Sequence, residues 1–216
     1  MTGFPDLSAD LDRGLSALGL PLPDDTRRAL LAYLALLARW NRTYNLSAIR
    51  EPRDMLVRHI FDSLAVLPHV VGHRLADIGT GAGLPGIPVA LARPDLRILL
   101  VDSNGKKTRF LREAVRALPL ADRCEVVQAR AEALVDPQGF DTVTSRAFAT
   151  LADFVGATRG LLAPGGRWLA MKGRRPDDEL AALPGDIHVE AVVPLTVPDL
   201  AGERHAVIMA GPSQGP

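Results

Sequence analysis

Three glycines at alternate positions, Gly79, Gly81 and Gly83, follow Asp77 in the segment LADIGTGAGLPGIP, residues 75–88. Glycine takes positive φ without steric cost and lets a ligand reach bare backbone, so such a run suits a turn that wraps a small molecule. Leu84, Pro85 and Gly86 come next, and Pro85 or Pro88 fits the first turn of a helix, where no N–H donor is required. A second carboxylate, Asp102, closes the apolar run at 98–101. At a strand tip it can accept hydrogen bonds from both hydroxyls of a ribose. Ser103 and Asn104 can cap the next helix, which leaves Asp102 for a ligand. Asp77 would either bond a ligand amino group or brace the turn.

Two ligands compete for this turn. Read from Gly81, the string Gly81-x-Gly83-x-x-Gly86 matches the dinucleotide fingerprint; read from Gly79, Gly-x-Gly-x-Gly is the turn of adenosylmethionine-dependent methyltransferases. A nicotinamide enzyme also needs a second nucleotide-binding half and a proton donor near its substrate. There is no Tyr-x-x-x-Lys pair, and the tyrosines, Tyr33 and Tyr44, stand N-terminal to the turn. On these residues alone the open readings are an adenosylmethionine-dependent methyltransferase, whose substrate they do not name, a nicotinamide-dependent oxidoreductase, and a non-catalytic adenosine-binding module.

Two kinds of element must position these residues. Residues 1–70 read as a helical cap region: a helix near 7–18 ended by Gly19, a long one beginning at Asp24-Asp25, and a third over 53–67 stopped by Pro68. From 71 to 211 short apolar strands (75–78, 97–102, 124–128, 141–145 and 167–172) alternate with helical stretches (87–92, 106–118, 151–162 and 177–183). That alternation predicts an α/β, Rossmann-like fold with a mostly parallel sheet and helices on both faces. Two β-rich runs, 189–194 and 205–210, have no helix-length segment between them, so the C-terminal strand should run antiparallel. Residues 212–216 read as a tail.

Composition narrows the setting. The chain has 216 residues, 47% hydrophobic and 23% charged, which is globular. It has no apolar run long enough to span a bilayer, and Asp6, Asp10 and Asp12 interrupt any secretory signal. A single cysteine, Cys124, excludes an internal disulfide and a cysteine-based metal site. The expectation is a cytoplasmic protein without membrane association, metal or protein partner, acting as a monomer. Its 25 basic and 25 acidic residues balance, so a case for nucleic acid rests on local patches. All three lysines stand beside motifs: Lys106 and Lys107 open a helix that also carries Arg109, Arg112 and Arg116, and Lys172 precedes Arg174 and Arg175 after the fifth strand. Asn45, Arg58 and His59 in the helical region would face the same crevice.

Longer strings then resemble one family. WNRTYNLSAI at 40–49, RHIFDSL at 58–64, DIGTGAGLPGIP at 77–88, LLVDSNGKKTRFL at 99–111, ARAE at 129–132, VTSRAFA at 143–149 and GGRWLAMKG at 165–173 together resemble the RsmG family, also called GidB. The resemblance implies a class I methyltransferase fold and S-adenosyl-L-methionine as cofactor, with S-adenosyl-L-homocysteine as product. It implies methylation of guanine N7 in 16S rRNA of the small ribosomal subunit or its precursor. Carried onto this chain, it places Gly79 and Leu84 at the methionine and ribose, with Asp77, Gly81 and Gly83 in the same turn. It places Asp102, Ser103 and Asn104 at the ribose and adenine edge, and Ala131 and Glu132 at the adenine. Position 104 more often carries Leu or Ala in the family. The resemblance places Arg146, after the fourth strand, among the cofactor contacts as well, and Arg146 and Lys172 are the expected catalytic residues. RNA contacts are expected from Asn45, Arg58, His59, Lys106, Lys107, Lys172, Arg174 and Arg175.

Overall fold

The computed structural model describes residues 4–146 and 148–212. The end of the expected tail, residues 213–216, lies outside the described residues, as does Ala147 of the VTSRAFA motif. Three layers form, with a seven-stranded sheet in the middle. Its strands are β1 (Arg74–Ile78), β2 (Arg97–Asp102), β3 (Cys124–Gln128), β4 (Phe140–Ser145), β5 (Leu162–Lys172), β6 (His188–Pro194) and β7 (His205–Ala210), in the order β3-β2-β1-β4-β5-β7-β6. The pairs from β3 to β5 are parallel, and β7 runs antiparallel to both β5 and β6. The chain-terminal strand is therefore antiparallel as expected, but it is inserted between β5 and β6, so that β6 forms the edge.

The helices are α1 (Ser8–Ala17), α2 (Asp24–Tyr44), α3 (Pro52–Met55), α4 (Asp62–Leu64), α5 (Gly86–Ala92), α6 (Gly105–Ala117), α7 (Leu151–Thr158) and α8 (Asp177–Ala181). Gly19, at φ 67°, ends α1, and Asn45, at φ 50°, caps α2 in the left-handed region. The third predicted helix is not uniform. Between α3 and α4, Leu56–Phe61 winds as a π-helix, and His59, Asp62 and Ser63 are buried alongside the apolar Leu56, Ile60, Phe61 and Leu64. Two further boundaries differ from expectation. Helix α7 ends at Thr158, and β5 begins at Leu162, five residues early, because Leu162 already pairs with Phe140 across a register shift.

Strand alternation divides the core in two. Leu75, Ile98, Leu100, Leu169 and Ile208 face α2, α5, α6 and the π-helix, through Leu30, Leu34, Ile60, Ile87 and Phe110. Ala76, Val143, Trp168, Val207 and Met209 face α7 through Leu151, Phe154 and Val155. The helical region thus shares one core with a face of the sheet, which lays its side chains over the C-terminal ends of β1 and β4. No helix among the described residues is long and apolar enough to cross a membrane.

Candidate active site

The turn after β1 is held from four directions. Gly79, Gly81 and Gly83 all have positive φ, at 67°, 63° and 92°. Asp77 is fully buried; its Oδ2 accepts from the Thr80 hydroxyl and from the Gly86 amide, the latter at 2.7 Å. Burial pushes the Asp77 carboxyl up to about 6, against the lowering effect of those two bonds and of the Arg146 charge. The Thr80 amide donates to the Val101 carbonyl at 3.0 Å, which ties the turn to β2. The Gly81 amide donates to Asp102 Oδ2 at 2.9 Å. From the helical layer, the buried Tyr33 hydroxyl donates to the Ala82 carbonyl at 2.7 Å. Burial raises the Tyr33 phenol far above its ordinary value, so it stays a donor.

The glycines divide by what a side chain would meet. A Cβ on Gly83 would sit 2.4 Å from Ile87, and one on Gly86 would sit 2.4 Å from Leu100 and 2.7 Å from Asp77 Oδ2. Those two are glycines for packing. A Cβ on Gly79 meets nothing within 4 Å, and one on Gly81 only grazes the Gly79 carbonyl and Lys107 Nζ at 3.9 Å. Their backbone therefore faces open space, the condition for a ligand to lie against it.

Asp102 ends β2 with little exposure. Its Oδ1 accepts from the Asn104 amide at 2.8 Å, and Lys107 Nζ lies 3.5 Å from Oδ2. Asn104 caps α6, its side chain accepting from the amides of Lys106 and Lys107. The capping duty is thereby taken from Asp102, while Asn104's own side chain is committed to the helix. A carboxylate has about four acceptor sites, and two backbone donors leave capacity for a diol. Ser103 and Lys106 are exposed; Leu84 and Ala131 are buried, and Glu132 is exposed on a 3-10 turn after β3.

A second cleft, of about 410 Å³, opens beyond β4 and β5. It brings together Arg58, His59, Arg146 and Lys172 from the expected set. His59 Nε2 lies 2.9 Å from the Ser47 hydroxyl, and burial together with Arg146 pushes its ring down to about 4, so it is neutral near pH 7. Arg146 pairs with Asp62 at 3.3 Å. Lys172 Nζ is bonded to both oxygens of Glu179, at 2.8 and 3.1 Å, and Glu179 also accepts from the Leu151 amide at the start of α7. Arg174 and Arg175 are exposed beside it, Arg175 bonded to Asp177 at 2.8 Å. Asn45 does not line this cleft; it caps α2 and accepts from Arg50 at 2.6 Å. Sequence reading missed Tyr33, Ser47 and Arg204. It saw Asp62 without assigning it a role. Among the described residues no group of three or more metal-ligating side chains converges.

The family description "GidB: rRNA small subunit methyltransferase G" matches residues 26–207. The chain belongs to this family. The match extends past the quoted motifs in both directions, taking in most of α2 and the first half of β7. Relatives named Ribosomal RNA small subunit methyltransferase G include one from Xanthomonas axonopodis pv. citri, 53% identical over 205 residues and 95% of either chain. Another, from Alkalilimnicola ehrlichii, is 52% identical over 213 residues, 99% of this chain and 96% of its own. Solved structures resemble the fold at lower identity. The glycopeptide N-methyltransferase MtfA, complexed with S-adenosyl-L-methionine, has a TM-score of 0.62 at 14% identity, over 77% of this chain and all of that one. TrmN from Thermus thermophilus has a TM-score of 0.56 at 20% identity, over 79% of this chain and 53% of that one. The fold of this family member is accordingly that of class I adenosylmethionine-dependent methyltransferases, and the open turn at Gly79 and Gly81 stands at the strand ends where such sheets bind ligands.

Proposed function

We propose that this chain is an S-adenosyl-L-methionine-dependent methyltransferase that modifies guanine N7 in 16S rRNA of the small ribosomal subunit or its precursor, acting as a cytoplasmic monomer. Residues 1–70 serve as a helical cap, 71–211 as the cofactor-binding domain and 212–216 as a tail. Family membership supports the substrate. The single observation that carries the cofactor assignment is the tip of β1–β2: open backbone at Gly79 and Gly81 beside a carboxylate, Asp102, that retains acceptor capacity.

The residues fit the cofactor part by part. Asp102 would accept from the ribose hydroxyls, with Ser103 and the Asn104 backbone beside it. Backbone at Gly79, Gly81, Gly83 and Leu84 would line the methionine. Ala131 and Glu132 would flank the adenine. Asp77 braces the turn through Oδ2, while Oδ1 is buried without a partner and suits the cofactor's amino group. When bound, the cofactor supplies an electrophilic methyl group on a sulfonium.

The chain's own work is positioning. Guanine N7 has an in-plane lone pair and no proton, so no general base is needed, and rate comes from holding the base in a near-attack geometry. Arg146 and Lys172 line the cleft where that base would enter; Arg146 would serve the cofactor, the RNA or both, and Lys172, tied to Glu179, would fix the wall behind the base. Arg58, His59, Arg174 and Arg175, with Lys106, Lys107 and Asn45 further out, would meet the RNA. Neutral His59, buried with its Nε2 on the Ser47 hydroxyl, would shape the cleft wall beside Arg58 without adding charge.

The test is to incubate the protein with labelled adenosylmethionine and small subunits lacking the modification. Label on N7 of a 16S guanine supports the reading; label confined to a metabolite or to another RNA overturns the substrate. Calorimetry separates the cofactors, because tight NAD binding without adenosylhomocysteine binding overturns the cofactor.

A further inference from the structure

One buried carboxylate joins three parts of the chain at the second cleft. Asp62, at the start of α4, is 3% exposed. Its Oδ1 accepts from Arg204 Nε at 2.8 Å, and its Oδ2 from Arg146 Nη1 at 3.3 Å. Arg146 Nη1 donates also to the Arg58 carbonyl at 3.1 Å, and Arg204 Nη1 to the Glu203 carbonyl at 2.7 Å. Arg204 comes from the β6–β7 connection, 142 positions away in the chain, and both guanidiniums line the cleft.

Stability alone does not call for this arrangement. A buried carboxylate needs one cation, and burying an ion pair often stabilises no more than well-packed apolar residues do. A second arginine leaves the cluster with a net positive charge, which Arg58 at the same cleft increases, whereas the charge of Lys172 is cancelled by Glu179. Each guanidinium carries five N–H donors in a rigid fork; the bonds to Asp62 and the two carbonyls use Nη1 of Arg146 and Nε and Nη1 of Arg204, so among the described residues none of these bonds takes Nη2 of either. Two forks fixed on one carboxylate and turned to a cleft form a geometry suited to a tetrahedral anion.

We propose that Asp62 is a positioning residue for the RNA substrate: it sets Arg146 and Arg204 side by side as a clamp for one backbone phosphate next to the target guanine, and it acts through them without touching RNA. The assignment rests on the rRNA function proposed for this chain. It also makes an unusual electrostatic prediction. An acid that merely repelled RNA would, when neutralised, tighten binding; an acid that positions two arginines would, when neutralised, weaken it.

A double-mutant cycle tests this on the full chain loaded with adenosylhomocysteine. Binding to unmodified small subunits is measured for the native protein, Asp62→Asn, Arg204→Ala and the double variant, with calorimetric adenosylhomocysteine stoichiometry as the control for folding. Each single variant is expected to bind subunits about tenfold more weakly, and the double variant little worse than Arg204→Ala. Losses that multiply, or tighter binding by Asp62→Asn, overturn the proposal. Should Asp62→Asn fail to bind adenosylhomocysteine, Arg204→Lys carries the test, since it keeps the charge and loses the fork. A loss of about tenfold is then expected, and unchanged binding overturns the clamp. If the native protein itself neither binds nor labels unmodified subunits, the rRNA function fails and takes the clamp with it; multiplying losses on a labelling enzyme sink the clamp alone.

Discussion

At the scale of single residues, the two aspartates at the strand tips have different chemistry. Asp77 has a carboxyl pushed up to about 6, above the ordinary 3.8. The folded protein therefore holds a proton there that the unfolded chain has lost, and stability contributed below about pH 4 is given up as pH rises through 6. Asp77→Asn has no such titration. Relative to the native protein it should gain about 2–3 kcal/mol between pH 4 and pH 7, read from urea unfolding at each pH. Parallel curves for the two proteins would show that Asp77 ionises normally. Asp102→Ala should weaken adenosylhomocysteine binding by about 1–3 kcal/mol in calorimetry; an unchanged affinity counts against the ribose role. The glycines separate fold from ligand. Gly83→Ala drives a methyl into Ile87 at φ 92° and should unfold at distinctly lower urea, whereas Gly79→Ala meets no protein atom. Gly79→Ala should cost about 1–2 kcal/mol of backbone strain and lose cofactor affinity out of proportion to that. Both aspartates and all these glycines were legible in the sequence because their spacing is local. Asp62 with Arg204, and Tyr33 with Ala82, were not: those pairs are 142 and 49 positions apart, and nothing in either local string names its partner.

At the scale of elements, hydrophobic period located every major helix and strand to within a few residues, because each buries a regular face. It missed the π-helical Leu56–Phe61 segment. A wider turn rotates the residues C-terminal to it, so a polar position such as Asp62 turns inward while the apolar spacing around it still reads as helical. Period is equally blind to where α7 stops, since Leu161 and Leu162 are apolar on either side of the boundary. The contact between α2 and the glycine turn gives the element-scale prediction. Tyr33 also packs on Phe110, ring centroids 6.4 Å apart, so Tyr33→Phe keeps the packing and removes only the bond to Ala82. The stranded carbonyl should cost about 1–3 kcal/mol in unfolding free energy. If α2 holds the turn in its binding shape, adenosylhomocysteine affinity should fall as well. Lower stability with unchanged affinity would make Tyr33 a packing residue alone.

At the scale of the whole molecule, zero formal net charge means that no long-range field draws the protein to RNA. Attraction has to come from the rim of the crevice, and there the partners decide which cations are available. Lys172 is neutralised by Glu179, and that pair links the end of β5 to α8 and, through the Leu151 amide, to α7. Arg174, two residues on, is exposed. Composition could not separate these two, since both are basic residues in one short string; the carboxylate of α8 separates them. Subunit binding measured across a range of salt should therefore respond to them differently. Arg174→Ala should reduce the slope of log affinity against log salt by about 1 while leaving melting unchanged, as loss of one phosphate contact requires. Lys172→Ala should leave the slope in place and lower unfolding stability by about 1–3 kcal/mol, because Glu179 keeps its half-buried charge and loses its cation. A reversed pattern, with the slope following Lys172, would mean that the lysine leaves Glu179 when RNA arrives, and that the joint between β5 and α8 opens on binding.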